Sequence, residues 1–444
     1  MKKRVLSAAC AAVMAGILSI SVPAGASDTE SSKKEATAED TDIEQQSDKG
    51  MSEEEKSSEG KVLNIYAWNE EFKTRMQEYY PGYEAVDDTT GTIGDVTVNW
   101  KIVSEGTKEY QQKLDEALLN QKEVPDDEKV DLFLVEAEYA RKYVETDYAM
   151  DIAELGITEE NTAGQFPYTK AYVTDADGRQ KGTAWYACPG VLIYNREIAA
   201  EVLGTDEPSE VQKSLSDWDT FLATADAMKE AGYTMTASVY DTYRVFAENA
   251  SGGWMNEDGI QVDEHMKKWA EMSNTMVDNG ETGTSEMWSD EWSKGFYPDG
   301  KVFCYFGPSW FYDYYMDSDE DGSVANRGGW AVTEGPESFF WGGTWICAAE
   351  GTDNPSLVQN IILKMTCNKE VLTGIAGTSK DFVNHVNVMK NYTEDEAFCS
   401  EILGGQNPVT QLLNCAKSLE CGNASGYGVI FDSEFQNAMK EYFS

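Results

Sequence analysis

Polar side chains with hydrogen-bonding capacity follow several short apolar runs of the sequence, and these residues are the first candidates for binding chemistry. They are Asn69, Glu70, Glu105, Glu136 and Asp241. Carboxylate and amide groups bind neighbouring hydroxyls in pairs. At the carboxyl ends of strands they would lie where open α/β proteins bind ligands. The pattern therefore predicts a polar ligand site built from strand ends.

Aromatic residues occupy strand ends and connecting segments of the same sequence. They are Trp68, Trp185, Tyr186, Trp254, Trp310, Trp341 and Trp345. Flat aromatic faces stack on the apolar faces of pyranose rings, and the chain has 12 Trp and 23 Tyr to supply them. Together with the carboxylates and amides, they favour a neutral polyol ligand over an anion. For each ring, the alternative is packing in a core.

Composition excludes several other functions. The 444 residues include 79 acidic and 35 basic side chains, a formal net charge of −44. Such a polyanion repels phosphate, so nucleic-acid binding is not expected. The two histidines, His265 and His385, are too few for a His-rich metal site. The string at 317–322 opens like an EF-hand loop but has Gly328 where a bidentate Glu is needed. We therefore expect neither a metal ion nor another cofactor.

The elements that would position these residues alternate between strands and helices. The first predicted strands lie at 61–68, 96–103 and 130–135. Helices are predicted over 71–80, about 110–118, and 137–146. This β-α-β-α-β order predicts a parallel, doubly wound sheet.

The rest of the chain is also mixed. A hairpin is predicted at 171–187 around the turn at 175–178. Further strands are predicted at 191–194, 235–240, 301–306 and 345–349. One helix is expected to begin with Ser216 as its cap and to end before Gly232, and a long helix follows at 356–367. The order predicts two α/β lobes that the chain crosses between more than once.

The N-terminus has the features of an export signal over residues 1–26. Three basic residues at 2–4 precede an uncharged apolar stretch, and small residues at 24–26 suit signal peptidase. The alternative for the apolar stretch is a retained transmembrane helix. Residues 27–60 are acid-rich with almost no apolar side chains, which predicts a disordered linker. No lipid-acceptor cysteine follows the apolar stretch. We therefore expect an exported protein, extracellular or associated with the cell surface.

Four stretches together resemble the extracellular solute-binding proteins of carbohydrate ABC transporters, the maltose-binding-like class. Residues 182–195, which end in Tyr194-Asn195, look like that family's hinge segment, and residues 216–221 look like the helix start after it. The stretch 300–310, ending in Gly-Pro-Ser-Trp, is similar to its strand followed by Gly-x-Trp. Residues 335–345 resemble its return crossover. The order and spacing of these stretches, which cover most of the chain after residue 60, carry the resemblance.

The resemblance implies a periplasmic-binding-protein-like fold of type II, in which a hinge of several crossovers joins two α/β lobes around the ligand cleft. Lobe 1 would comprise 61–185 plus 337–383, and lobe 2 would comprise 186–336 plus 384–444. The lobes of such a protein close on a sugar. Trp310, which follows Gly-Pro-x, is implied to stack on the ligand.

The resemblance also implies further cleft residues: Trp68, Asn69, Glu70, Gly343 and Trp345, with Gln406 and Asn407 as hydrogen-bond donors. The chain departs from the family pattern at 187–190 of the hinge, so the identity of the sugar does not transfer. Similar proteins usually continue into one more helix after the point where this sequence ends, which predicts a shortened lobe 2.

The predicted function is that of a secreted, monomeric binding component of an ABC importer. It would bind a neutral sugar or oligosaccharide and deliver it to the permease subunits in the membrane, without catalysis. One alternative is the same fold binding a polyamine or other cationic solute, through cation–π contacts and carboxylates. The other is a glycoside hydrolase that uses two carboxylates of the cleft.

Overall fold

The computed structural model describes residues 59–104, 108–252, 254–256, 259–316, 322–419 and 428–443. The predicted signal segment, Glu105 and nearly all of the predicted linker lie outside these ranges. The last two linker residues, however, contact the folded chain. The Ser356 N–H donates to Glu59 Oε1 at 2.9 Å, and the Gly60 N–H donates to the Asp353 carbonyl at 3.0 Å.

Thirteen strands are present among the described residues. They are β1 Val62–Ala67, β2 Tyr83–Ala85, β3 Thr90–Ile93, β4 Val96–Ile102, β5 Leu132–Glu136, β6 Pro189–Asn195, β7 Thr234–Thr236, β8 Met255–Asn256, β9 Gly259–Ile260, β10 Val302–Gly307, β11 Trp330–Thr333, β12 Phe339–Phe340 and β13 Thr344–Ala348.

The α-helices of the same part of the chain follow in order. They are α1 Glu71–Tyr79, α2 Glu109–Leu119, α3 Ala140–Val144, α4 Pro167–Ala171, α5 Arg196–Val202, α6 Pro208–Val211, α7 Trp218–Ala231, α8 Tyr243–Glu248, α9 Glu264–Asn279, α10 Asp290–Ser293, α11 Pro355–Thr366, α12 Lys369–Ser379, α13 Val386–Lys390, α14 Val409–Ser418 and α15 Gly428–Phe443.

The first sheet has six strands in the order β13-β5-β1-β4-β3-β2. Its centre is parallel, because β1 pairs with β4 on one side and β5 on the other, which confirms the predicted β-α-β-α-β unit. Strands β2, β3 and β13 are antiparallel additions that were not predicted as part of this sheet. The first two are short and partly exposed, and β13 arrives from a distant part of the sequence.

The second sheet has the order β11-β6-β10-β7, and β12 also pairs with β6. Strand β7 is shorter than predicted because Ser238 caps a helical turn at Val239–Thr242. The predicted hairpin forms only next to its turn. Backbone hydrogen bonds join Lys181 to Val173 at 2.8 Å and Asp175 to Arg179 at 2.9 Å, but no extended strand follows on either side, and α4 ends at Ala171.

The N-terminus of α7 differs from the prediction by one residue. The cap is Asp217, whose carboxylate accepts the Thr220 N–H at 2.7 Å, and Thr220 hydroxyl contacts close the reciprocal capping box. The carboxylate therefore does what was predicted for the Ser216 hydroxyl. The C-terminus is confirmed, since Gly232 takes φ +91°, a conformation that favours glycine.

The chain passes between the two sheets three times. It leaves the first sheet after β5 and enters the second at β6, then returns between β11 and β13. The third crossing lies between α12 and α14. Helix α12 packs on α1, beside the first sheet, whereas α14 packs on β6 of the second sheet. In the described part of the chain, no helix is both long enough and apolar enough to span a membrane.

Candidate functional site

The end of β1 presents one aromatic ring and two polar side chains that contact the first turn of α1. Trp68 is half-buried and meets Tyr110 and Tyr139 edge-on, with ring centroids 5.7 and 6.1 Å apart. Asn69 Oδ1 accepts the Glu71 N–H at 3.1 Å, and the Glu70 carboxylate accepts Lys73 Nζ at 2.8 Å. Asn69 and Glu70 thus stabilise the start of α1, although both remain exposed.

The end of β5 brings Glu136 next to the return crossover. Glu136 Oε2 accepts the Glu138 N–H at 2.7 Å, which holds the turn after the strand. Gly342 takes φ +79°, and a Cβ placed there would lie 3.3 Å from Trp310 Nε1 and 3.8 Å from Glu136 Oε1. Glu136, Gly342 and Trp310 therefore converge from the first sheet, the crossover and the second sheet.

Four rings form what we call the aromatic cluster: Trp288, Trp310, Tyr315 and Trp341. Ring centroids lie 4.6 Å apart for Trp288 and Tyr315, 5.1 Å for Trp310 and Trp341, and 5.6 Å for Trp288 and Trp341. The Trp310 N–H donates to the Trp341 carbonyl at 3.2 Å. Trp288 and Tyr315 are 46% and 54% exposed, so the cluster offers open ring surface for stacking.

Backbone geometry within the aromatic cluster is unusual at two places. Trp288 has φ +68°, a left-handed conformation that a bulky side chain rarely adopts. Tyr315 lies at the end of a π-helical turn, Phe311–Tyr315, directly after Trp310. Strained residues and π-helical turns both concentrate at functional sites, so the geometry singles out this cluster.

Opposite charges join the two lobes beside the aromatic cluster. Arg244 lies at the start of α8, in the lobe of the second sheet. Its Nη2 is 2.6 Å from Oε1 of Glu138, which follows β5 of the first sheet. Its guanidinium also lies 5.5 Å from the centre of the Trp341 ring. A cation, two carboxylates and several aromatic faces thus meet between the lobes.

A second cluster of polar side chains lies beside the segments that cross between the two sheets. Arg75 forms two hydrogen bonds with the Asp381 carboxylate, at 2.9 and 3.0 Å. Burial, reinforced by the nearby Asp381 charge, raises the pKa of Glu71 to about 7, although Arg75 opposes the shift. Tyr186 OH lies 3.5 Å from Thr344 Oγ1, and burial raises its pKa well above the usual value.

A groove of about 320 Å³ adjoins the turn that carries Trp310. Ser309, Tyr312 and Asp313 line it from the second sheet, and Lys380 and Phe382 line it from the third crossover. Its volume lies in the range of small-molecule sites.

Three predicted site residues are buried and make structural contacts. Trp185 stacks on Phe72 at 5.4 Å, and Trp345 donates its N–H to the Thr169 carbonyl at 2.8 Å. Asp241 accepts the Trp292 N–H and the Ser238 N–H, each at 2.8 Å. The structure does not bring these three side chains to the aromatic cluster.

Four further predicted residues are held by contacts with the surrounding structure. Trp254 packs on Phe435 of α15, with centroids 5.2 Å apart. Gln406 forms two 2.8 Å hydrogen bonds with the backbone of Val332, and Asn407 Nδ2 donates to the Tyr392 and Asp395 carbonyls. The carbonyl of Gly343 accepts the Ala137 N–H at 3.2 Å, which ties the crossover to the end of β5.

The sequence reasoning missed Trp288, Tyr315, Arg244 and Glu138. Trp288 and Tyr315 follow no predicted strand, and Arg244 was one basic residue among 35. One signal was available: Glu138 lies two residues beyond Glu136, which had been identified, in the same strand-end turn.

Comparison with known proteins identifies the family and the fold of the chain. A family model described as bacterial extracellular solute-binding protein matches residues 84–396, more than half of the chain. No curated protein matches the chain significantly. An extracellular solute-binding protein of family 1 has a similar structure, with a TM-score of 0.74 at 16% identity over 86% of this chain and 94% of that one.

Two further solved structures are similar. The galacto-N-biose-/lacto-N-biose I-binding protein of a Bifidobacterium longum ABC transporter, in complex with lacto-N-biose, has a TM-score of 0.60 at 16% identity, over 87% of this chain and 93% of that one. The sugar-binding protein MalE from Xanthomonas citri has a TM-score of 0.58 at 12% identity, over 86% and 97%. The predicted periplasmic-binding-protein-like fold class is thus confirmed.

Proposed function

Because the chain belongs to the bacterial extracellular solute-binding proteins, we propose that it is the substrate-binding component of an ABC importer. Its ligand is a neutral sugar or oligosaccharide bound between the two lobes, and its partners are membrane permease subunits. The protein acts outside the cell or at its surface, by binding alone. We assign residues 61–185 plus 337–383 to lobe 1 and residues 186–336 plus 384–444 to lobe 2.

One observation carries the proposal: the aromatic cluster lies where both lobes meet and has carboxylates beside it. Trp310 and Trp341 supply stacking faces, Trp288 and Tyr315 extend them, and Glu136 supplies acceptor oxygens. Stacking together with paired hydrogen bonds is the chemistry that a pyranose ring requires. Two of the similar structures are described as sugar-binding proteins, which agrees with this chemistry.

The alternatives fit the charges less well. A cationic solute would have to share the cluster with the Arg244 guanidinium, which already lies over Trp341. A glycosidase needs two carboxyl groups facing one glycosidic bond. Glu136 instead accepts a backbone N–H, and Glu138 pairs with Arg244.

The test is a thermal-shift screen of the exported protein against neutral mono- and oligosaccharides, with spermidine and putrescine included. A ligand of the native state raises the melting temperature by mass action. We expect a shift with one family of sugars; a shift with polyamines alone would replace the sugar by a cationic solute.

Calorimetry on one pair of variants then tests the site. Trp310→Ala should weaken sugar binding at least about tenfold, because the ligand loses a stacking face. Trp100→Phe is the control, since Trp100 is buried in the first sheet and bonds Tyr83 through its N–H at 2.8 Å. Equal affinities of the two variants would contradict the assignment of Trp310.

A further inference from the structure

The ion pair between Arg244 and Glu138 connects the two lobes, and each partner is fixed to its own lobe. Tyr243, next to Arg244 on α8, donates its hydroxyl to Asp432 of α15 at 2.7 Å. On the other side, Glu138 follows a turn that is held by Glu136 and by the 3.2 Å bond between Ala137 N–H and the Gly343 carbonyl. The 2.6 Å distance between the two charges therefore reports how the lobes sit relative to each other.

The charges around Arg244 divide between the lobes. Glu136 and Glu138 belong to the lobe of the first sheet. Glu248 of α8 and Asp432 of α15 belong to the lobe of the second sheet. Burial lowers the pKa of Arg244, but these four carboxylates more than offset that effect and raise it overall. Burial, with the charge of Asp432, raises the pKa of Glu248 to about 8, although Arg244 opposes this shift.

The division has a consequence for mutagenesis. When Glu138 loses its charge, Arg244 keeps its neighbours Glu248 and Asp432 within its own lobe, and we expect that lobe to stay folded. When Arg244 is removed, Glu248 and Asp432 lose the cation that opposes the rise of their pKa values. Glu138→Gln is therefore the clean perturbation of the contact between the lobes.

We propose that the Arg244–Glu138 pair is a closure contact, formed when the lobes come together, that sets the fraction of closed molecules and hence the affinity for the ligand. This inference rests on the proposed function, in which the closed form is the one that binds tightly. Apparent affinity falls in proportion to the population of the binding-competent state. A contact present only in the closed form raises that population without touching the ligand.

The expected loss of affinity follows from how exposed the two side chains of the ion pair are. The Glu138 side chain is 54% exposed and Arg244 is 28% exposed, so solvent screens the pair. We expect Glu138→Gln to weaken binding about two- to fivefold at low salt, the range of exposed ion pairs. Because the contact acts through closure, the factor should be the same for every sugar that binds.

The experiment measures sugar affinity by calorimetry at 50 and 500 mM NaCl, and the radius of gyration of the ligand-free protein by small-angle X-ray scattering. The control is Glu197→Gln, which breaks the 2.9 Å pair with Arg327 inside the second sheet's lobe. Compared with the wild type, Glu138→Gln should bind sugar more weakly and have a larger radius of gyration at low salt. Both differences should vanish at high salt.

An unchanged radius and affinity would overturn the proposal, and so would a loss confined to one sugar, which would make Glu138 a ligand contact instead. If the wild-type protein binds no sugar, the proposed function fails, yet the ligand-free scattering data still decide the closure contact. In the Glu138→Gln background, Arg244→Lys should cause no further salt-dependent loss; an additional loss would show that Arg244 does not act through this pair.

Discussion

Asp241 is the predicted ligand residue whose structural placement yields the sharpest test. Its carboxylate is buried and accepts the Trp292 N–H through Oδ1 and the Ser238 N–H through Oδ2, each at 2.8 Å. Burial raises its pKa from the ordinary 3.8 to about 7, although the hydrogen bonds oppose the shift. The residue therefore stabilises the second sheet most when it is protonated.

The sign of the pH dependence follows from proton counting. Between its unfolded and folded pKa values, Asp241 binds a proton in the folded protein that it has lost in the unfolded chain. Stability therefore falls as the pH rises through this window and levels off above about 7. The loss accumulates at 1.36 kcal/mol per unit from pH 5 to about 7, so by pH 8 this single group costs about 3 kcal/mol relative to pH 5.

The perturbation is Asp241→Asn, which cannot ionise and presents one acceptor oxygen instead of two. At pH 5 the variant should be less stable than the wild type by about 1–3 kcal/mol, because one buried N–H loses its acceptor. By pH 8 the difference should have moved about 3 kcal/mol in favour of the variant. Other buried acids, such as Glu71 and Glu248, titrate in both proteins and cancel in the difference.

Urea unfolding followed by circular dichroism at pH 5, 6, 7 and 8 gives the two stability curves. Parallel curves would refute the reasoning, since they would mean that Asp241 is ionised in the folded protein throughout this range. Sugar affinity serves as the second readout: it should be the same in both proteins, because the carboxyl is occupied by Trp292 and Ser238.

Three further predictions follow from individual contacts. Trp345→Ala should destabilise the protein by about 3–5 kcal/mol in urea unfolding, because it removes a buried ring and leaves the Thr169 carbonyl without its donor; a loss below about 1 kcal/mol would contradict this core role. Gly342→Ala should lower the melting temperature and weaken sugar binding several-fold in calorimetry, since its φ of +79° costs a side chain about 1–2 kcal/mol and its Cβ would crowd Trp310; binding equal to wild type would contradict the convergence at Gly342. Deleting residues 27–58, which stops short of Glu59, should leave sugar affinity unchanged; a large loss would place this segment in the binding site.

The fold was predictable where local pattern and tertiary context agree. The apolar runs that became β1, β4 and β5 are buried strands with helices between them, and only a parallel sheet accommodates that order. The hairpin at 171–187 forms only next to its turn, because a turn sequence does not decide how far strands extend on either side. The chain before the turn folds as α4, where Pro167 suits the first helical position.

The candidate site was predictable to the extent that strand ends and crossovers define it. Glu136 was predicted from its position at a strand end and Trp310 from a connecting segment and the family resemblance, and both converge on Gly342. Asp241 also follows a strand, but its carboxylate turns inward to cap a helical turn and to bind Trp292. Strand position therefore locates a residue near the correct edge of a sheet, whereas side-chain direction depends on partners that are distant in sequence.

The same distinction explains why composition does not separate buried tryptophans from exposed ones. Trp185 and Trp345 lie in the predicted segments, yet their rings are buried in the first hydrophobic core. Trp288 had no strand or motif to mark it, yet its ring is 46% exposed at the cost of a left-handed backbone. Such strain persists only where the surroundings over-determine it, and here Trp292, Phe311 and Trp341 all pack against the ring. A large apolar ring that is held strained and open to solvent gains nothing in folding from that exposure, which agrees with the proposed role of the aromatic cluster in stacking on a ligand.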